Sequence, residues 1–328
     1  MGKPHGIALV VLGILIAVVW LVLGRDDGPA PASAGRSAAD QGTGVVGGPV
    51  APAPPVGMAT DAVIKDDVVF TPRDLRIFEE TVEWARAEGL DTLDIGPMMA
   101  RLGRRFVGAD YTPHTLDPPG PERLVVNLRE FDCVTYLENV LAIARVLRDG
   151  APTFPAYTEE LRRIRYRGGV LDGYASRLHY FSDWILDNAE LGILRDITAE
   201  IGGVRVTEPV TWMSSNASSY RQLEGRPERS AAIREIERRL SARPRSYIPQ
   251  ERIAAIADRI QDGDVIAATS TVRGLDIAHT GLALWVDGRL HLMHAPLVGK
   301  SVEISTGPLA GRIQRIDGQN GIMVARPL

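Results

Sequence analysis

Apolar residues in the stretch from position 127 to 147 recur with the period of an α-helix. The stripe consists of Leu137, Val140, Leu141, Ala144 and Leu147. Its members lie at i, i+3, i+4, i+7 and i+10, which places them on one face of a helix that packs on a core. Asp132 stands just before the stripe and is a residue type that caps helix N-termini. The pattern predicts a buried helix with Cys133 in its first turn.

Further helical patterns flank this central segment. Thr71 and Pro72 are typical of a helix start, and Gly89 is typical of a helix end. Shorter helical patterns cover residues 97–106, 158–165, 182–188, 228–240 and 250–260. Residues 108–121 are rich in proline and aromatic residues, and we interpret them as a surface loop.

The last third of the chain changes to strand patterns. These cover residues 265–269, 278–286, 290–295, 302–305 and 322–326, and an earlier one covers 204–210. Asp287 and Gly288 separate two of the strands and are typical of a tight hairpin turn. The chain therefore predicts an α+β fold, in which a helical N-terminal part packs on a C-terminal antiparallel sheet.

The first sixty residues differ in composition from the rest. Residues 6–23 carry no charge and suffice to cross a bilayer core. A charged cluster follows them, which favours an uncleaved transmembrane signal anchor over residues 1–24; a cleaved signal peptide is the alternative. Residues 25–60 are dominated by Ala, Pro, Gly and Val and are predicted to be a disordered linker. Residues 61–328 are long enough for one domain with a sizeable core.

Net charge and cysteine content limit the classes of function that the sequence can support. A net charge of −4 and a pI of about 5.9 argue against a nucleic-acid-binding surface. Cys133 is the single cysteine of the sequence, so an exported domain would carry it as a free thiol. Helix N-termini favour a thiolate, so we expect a lowered pKa and a nucleophile at this position. A small buried hydrophobic residue is the alternative interpretation.

Three histidines on the predicted C-terminal hairpin could serve that thiol. His279 opens one strand and His294 closes the next, so the turn brings the two side by side. This suits His279 as a general base and His294 as the group that orients it. His291 has the opposite strand parity from His294, which disfavours a zinc site built from these histidines and Cys133.

Several sequence segments together resemble the N-acetylmuramoyl-L-alanine amidase-like family, a branch of the NlpC-type, papain-like cysteine hydrolases. The segments are FDCVTYLENVLAIAR, RYRGG, SRLHYFSDWI, IQDGDVIAATS, GLDIAHTGLALW and LHLMHAP. The resemblance implies a papain-like fold, with a helix that carries the nucleophile packed on a small antiparallel sheet that carries the base. It assigns Cys133 as nucleophile, His279 as general base and His294 as the third polar residue, without a metal or a cofactor.

The resemblance also implies a substrate and its binding residues. The bond is the amide between the lactyl group of N-acetylmuramic acid and L-alanine in peptidoglycan fragments. Residues that match the family's signature block are expected to line the cleft: Tyr166, Ser176, Arg177, His179 and Tyr180. An ordinary helix with a Tyr- and Trp-rich face would explain part of this block equally well.

These inferences give one expected function and leave alternatives open. We expect a cell-wall amidase in the bacterial cell envelope, anchored in the cytoplasmic membrane by its N-terminal helix, with the domain on the outer side. Its expected partners are peptidoglycan fragments and the membrane, and not nucleic acid. The alternatives are a papain-like endopeptidase within stem peptides, an acyl transferase, or a non-catalytic envelope-binding domain.

Overall fold

The computed structural model describes residue 59 and residues 61–297 and 301–328. The predicted anchor, residues 1–24, lies outside the described residues, and so does the predicted linker, residues 25–60, apart from Ala59. Within the described ranges, no helix has both the length and the apolar character needed to cross a membrane.

Helices and strands alternate through the first part of the described chain, and strands dominate its end. The α-helices are α1 (Pro72–Ala87), α2 (Ile95–Arg105), α3 (Cys133–Arg148), α4 (Phe154–Arg165), α5 (Phe181–Glu190), α6 (Trp212–Ser215), α7 (Pro227–Ala242) and α8 (Leu309–Arg315). The 3-10 helices are Leu90–Thr92, Arg167–Gly169, Tyr174–Ser176, Ala217–Ser219 and Gln250–Arg259.

The strands form one large antiparallel sheet and two small ones. They are β1 (Val63–Lys65), β2 (Val68–Phe70), β3 (Asp110–Tyr111), β4 (Leu124–Val125), β5 (Glu130–Phe131), β6 (Leu194–Asp196), β7 (Val204–Arg205), β8 (Ser246–Pro249), β9 (Val265–Ser270), β10 (Ile277–Val286), β11 (Arg289–His294), β12 (Glu303–Ile304) and β13 (Gln319–Pro327). The large sheet has the order β12-β11-β10-β9-β13-β8-β7, and β6 also pairs with β13. The predicted α+β arrangement is confirmed.

Helix α3 lies in the middle of the main core. Nearly every residue from Thr135 to Leu147 is buried, so the helix is enclosed on all sides rather than on the one face that its apolar stripe predicted. One side packs on the large sheet, where Leu282 and Met293 belong to the same apolar cluster, and the other sides face α2, α4 and the 3-10 turn Leu90–Thr92. The enclosed helix fixes the position of its first residue, Cys133.

The opposite face of the large sheet is covered by α8 and by the 3-10 segment Gln250–Arg259. Leu309 and Ile313 of α8 pack with Leu290 and Leu292 of β11 in a second apolar cluster. Helix α8 has no counterpart among the sequence predictions. The segment at 250–260 is a series of 3-10 turns rather than the predicted α-helix.

Other element boundaries differ from the sequence predictions for local reasons. The strand predicted at 204–210 is limited to Val204–Arg205. The helix predicted from Thr158 begins at Phe154, because Thr153 caps it and Pro155 is favourable in the first helical turn. The Pro-rich stretch 108–121 contains the short strand β3, which runs parallel to β5.

Candidate active site

Cys133 is the first residue of α3, as predicted. The carboxylate of Asp132 accepts hydrogen bonds from the backbone N–H groups of Val134 (3.0 Å) and Thr135 (2.8 Å). The Thr135 hydroxyl accepts in turn from the backbone N–H of Asp132 at 2.9 Å, which completes a capping box. This cap fixes where the helix begins and therefore where the thiol stands.

The Cys133 thiol is half-buried and lies against strand β10. The Thr280 hydroxyl donates to the backbone carbonyl of Cys133 at 2.9 Å. Thr280 also lies close enough to the thiol to lower its pKa. Because Thr280 directly follows His279, these contacts bring the start of α3 to the part of β10 that carries the predicted base.

The protonation of the thiol differs from the expectation. Burial raises the pKa of Cys133 to about 12, and the negative charge of Asp132 acts in the same direction. Hydrogen bonds from Thr280 lower the pKa but do not offset these effects. The carboxylate that caps α3 thus opposes the thiolate that the helix N-terminus would favour, and the predicted lowering of the pKa is wrong.

His279 and His294 form the hydrogen-bonded pair that the hairpin predicted. His279 Nε2 lies 2.8 Å from His294 Nδ1, and the two rings are nearly perpendicular at 89°. A shift of the β9–β10 register between Ile277 and His279 marks a bulge, a feature that redirects side chains at functional sites. Burial and the nearby Arg312 lower the pKa of His279 to about 3, so the imidazole rests neutral and is a weaker base than a solvent-exposed histidine.

Gly281 provides the space for this pairing. A Cβ atom at this position would lie 2.7 Å from the Met293 carbonyl oxygen and 2.9 Å from Cβ of His294. Both distances are shorter than van der Waals contact, and the first involves backbone that cannot move without disturbing the β10–β11 ladder. The absence of a side chain here allows His294 to approach β10 closely.

His291 is engaged elsewhere. Its Nδ1 lies 2.8 Å from the Ser305 carbonyl oxygen, whereas His294 Nδ1 faces His279. In the part of the chain that the structure describes, no three His, Cys, Asp or Glu side chains are grouped so that they could hold a metal ion.

Tyr111 belongs to the site but was missed by the sequence analysis. Its strand β3 pairs in parallel with β5, with Tyr111 opposite Phe131, two residues before Cys133. Burial raises the pKa of the Tyr111 phenol, and the nearby Cys133 and Asp132 raise it further. The phenol is therefore protonated and close to the thiol. No periodic signal could have found it, because β3 is two residues long and lies in a Pro-rich stretch.

Two of the five predicted substrate-binding residues anchor the loop before β4. The Tyr166 hydroxyl, which has one proton to donate, lies 3.0 Å from the Arg123 carbonyl oxygen and 3.1 Å from the Glu122 carboxylate. Arg177 is buried, forms an ion pair with Asp117 and donates to the Leu116 carbonyl oxygen at 2.9 Å. Both side chains thus hold residues 116–123 in place.

The other three side chains also have partners within the protein. The Ser176 hydroxyl donates to the Gly173 carbonyl oxygen at 2.7 Å, and His179 Nε2 lies 2.7 Å from the Tyr174 carbonyl oxygen. The Tyr180 hydroxyl donates to Glu237 at 2.7 Å and accepts from the backbone N–H of Met213. Substrate contact by the five residues stays a prediction, and their described contacts are those of a supporting scaffold.

Comparison with known proteins identifies relatives. The model of a family described as N-acetylmuramoyl-L-alanine amidase-like matches residues 101–322. A crystal structure of an N-acetylmuramoyl-L-alanine amidase from Bacteroides uniformis is similar, with 37% identity and a TM-score of 0.68, covering 71% of this chain and 99% of that one. No curated protein sequence matches the chain significantly.

Two further solved structures are similar. A Bacteroides fragilis protein with a suggested xylanase activity has 34% identity and a TM-score of 0.65, covering 68% of this chain and 98% of that one. A Legionella pneumophila protein has 21% identity and a TM-score of 0.56, covering 77% of this chain and 95% of that one. At that identity the second likeness concerns the fold alone.

Proposed function

The chain belongs to the N-acetylmuramoyl-L-alanine amidase-like family, and from this premise we propose that it cleaves the amide between N-acetylmuramic acid and L-alanine with a papain-like thiol mechanism. Family membership supports the coarser statement, that the protein is a peptidoglycan hydrolase. The observation that carries the finer proposal is the hydrogen bond from Thr280 to the backbone carbonyl of Cys133, because the neighbour of Thr280 is His279, which is hydrogen-bonded to His294.

In the first half of the reaction, the proton moves as the new bond forms. With His279 Nε2 held by His294, Nδ1 is the nitrogen that takes the thiol proton while sulfur attacks the amide carbonyl carbon. In this proposal the backbone N–H of Cys133 at the helix start and the protonated phenol of Tyr111 donate to the developing oxyanion. Because thiol and imidazole both rest neutral, proton transfer accompanies attack instead of preceding it.

In the second half, His279 returns the proton. The carbon–nitrogen bond breaks as the imidazolium protonates the leaving amine of L-alanine, which leaves a thioester between Cys133 and the lactyl carbonyl. His279 then deprotonates a water molecule that attacks the thioester. The products are the muramic acid carboxylate and the restored thiol, so neither a redox partner nor a metal ion takes part in the proposed steps.

We also propose that the domain acts on the outer side of the cytoplasmic membrane. Peptidoglycan lies there, and residues 1–24 have the composition of a signal anchor followed by a Pro- and Ala-rich linker. Labelling of intact and permeabilised cells with a membrane-impermeant reagent tests this: accessibility of the domain only after permeabilisation of the cytoplasmic membrane would contradict it.

Mass spectrometry of digested muropeptides tests the cleaved bond. We expect the wild-type protein to release free stem peptides that begin with L-alanine. The Cys133→Ala variant should be at least about a thousandfold less active, because it lacks the proposed nucleophile. Circular dichroism of the variant should match the wild type.

The same digests discriminate between the alternatives. Products cut within the stem would instead indicate an endopeptidase. Full activity of Cys133→Ala would rule out the thiol mechanism, as would an enzyme that is inhibited by chelators and unaffected by thiol alkylation.

A further inference from the structure

Glu303 extends the histidine pair by one residue. It lies on β12 directly opposite His294 of β11 in the antiparallel register. Its Oε1 is 3.7 Å from His294 Nε2, the ring nitrogen that faces away from His279. The His294 side chain is 1% exposed, whereas that of Glu303 is 40% exposed. A carboxylate at the edge of the sheet thus approaches the far side of a buried imidazole.

The hydrogen bond between the two histidines can be made in two ways. If His279 donates from Nε2, its Nδ1 carries a lone pair and can act as a base. If His294 donates from Nδ1 instead, His279 must carry its proton on Nδ1, and it cannot accept a proton from the thiol there. The two arrangements differ in the tautomer of both rings, so a group that selects the tautomer of His294 also selects that of His279.

We propose that Glu303 is a positioning residue that keeps His294 in the Nε2–H tautomer and thereby keeps His279 Nδ1 available as the base. A carboxylate accepts hydrogen bonds and does not donate them, so an acceptor near His294 Nε2 favours a proton on that nitrogen. His294 Nδ1 is then an acceptor and His279 Nε2 the donor. The role in catalysis rests on the proposed function, whereas the choice of tautomer does not.

Charge supports the same assignment. During attack His279 becomes an imidazolium, and the nearby Arg312 opposes this positive charge. The carboxylate of Glu303 lies at the other end of the pair and acts in the opposite sense. Placed on β12, it favours the imidazolium without lying beside the thiol, where a negative charge would oppose the thiolate.

Nitrogen-15 NMR of the histidine rings in the full chain tests the tautomer. We expect the wild-type protein to show both His279 and His294 protonated on Nε2, and Glu303→Ala to show a second population protonated on Nδ1. Glu235→Gln is the matched control, because Glu235 is 41% exposed and lies on α7 away from the site; its histidine spectrum should equal that of the wild type. Identical spectra for Glu303→Ala and the wild type would overturn the proposal.

Thiol alkylation and amidase kinetics test the consequence. We expect Glu303→Ala to lower the rate of iodoacetamide reaction at Cys133 and kcat by about tenfold, with KM nearly unchanged, an effect typical of partners that orient a histidine. Glu303→Gln keeps an acceptor oxygen, so its alkylation rate and kcat should lie between those of the wild type and those of Glu303→Ala. A fall in kcat without a tautomer change would contradict the proposal, whereas a tautomer change in a protein that cleaves no muropeptide would support it and contradict the proposed function.

Discussion

At the scale of single residues, burial keeps both of the proposed reacting groups neutral. The pKa of Cys133 is raised to about 12 and that of His279 is lowered to about 3, and burial is the largest cause in both cases. Burial disfavours the charged form of any group, so it raises the pKa of a thiol and lowers the pKa of an imidazole. The resting protein therefore holds Cys133 as a thiol and His279 as a neutral imidazole.

The lowered pKa of His279 predicts a loss of stability in acid. An unfolded histidine titrates near 6.5, so between about pH 6.5 and pH 3 the unfolded chain binds a proton that the folded chain does not. Each such histidine reduces the free energy of unfolding by about 1.4 kcal/mol per pH unit as pH falls below 6.5. Urea unfolding at pH 7.5 and 5.0 should show a smaller pH dependence for His279→Gln than for the wild type.

The slope should decrease without disappearing, because burial also lowers the pKa of His179 to about 3. The double variant with His179→Gln should flatten it further. Equal slopes in all three proteins would contradict the assignment of buried, neutral rings.

At the scale of elements, strand β10 does most of the positioning. Its Thr280 hydrogen-bonds the backbone carbonyl of Cys133, its His279 follows a bulge, and its Gly281 leaves space for His294. Sequence spacing predicted the hairpin and the pairing of the two histidines, since both follow from strand alternation and a turn dipeptide. It could not predict the bulge, which depends on the pairing with β9.

A methyl group at Gly281 should separate β10 from β11. The new Cβ would collide with the Met293 carbonyl oxygen and His294, so we expect Gly281→Ala to cost about 1–3 kcal/mol of stability, as overpacking typically does. The value of kcat should fall by more than the loss of folded protein explains, because the His279–His294 distance changes. Chemical unfolding and kcat measure the two effects.

The matched control is Gly311→Ala on α8. Its Cβ would meet only the flexible end of the Arg315 side chain at 3.2 Å, so kcat should be unchanged and stability should stay equal or rise by up to about 1 kcal/mol, as Gly→Ala in a helix does. Wild-type activity of Gly281→Ala would show that the close approach is not needed.

The shortest strands and helices could not be predicted from sequence patterns, for a shared physical reason. Strands β1 to β5 have two or three residues each, too few for an alternating pattern, and β2 and β3 pair with the more distant β4 and β5. Helix α8 was missed because its seven residues span about two turns. The long, capped helix α3 was predicted correctly at its start, because Asp132 and the apolar period are local signals.

At the scale of the whole molecule, a buried ion pair ties the helical layers together. Arg165 of α4 donates to Glu138 of α3 at 2.7 Å and to the Val125 carbonyl oxygen of β4 at 2.6 Å. Both side chains are 2% exposed. The pair thus links three elements around the helix that carries the thiol.

Removal of one partner should destabilise the whole domain. Glu138→Gln or Arg165→Met leaves a buried charge without its counter-ion, and each should cost about 3–5 kcal/mol. The double variant should cost much less than the sum, because neither charge remains. Urea unfolding of the four proteins gives the coupling energy, and additive losses would contradict this account.

Local sequence patterns could not predict which distant segments meet at the candidate site. Cys133 and Thr280 are 147 positions apart, and their contact depends on how α3 packs on the large sheet. The family resemblance supplied that expectation. It did not supply Tyr111, nor the internal partners of Arg177 and Tyr180, because those depend on how loops pack in this chain.

The mass of a trapped acyl-enzyme tests the central claim most directly, because it identifies both the nucleophile and the bond. Wild-type protein is mixed with a muramyl peptide, quenched in acid within milliseconds and digested, and the peptide that contains Cys133 is weighed. We predict an added mass equal to an N-acetylmuramic acid residue joined through its lactyl carbonyl. An added stem-peptide fragment, or a modified residue other than Cys133, would contradict the account.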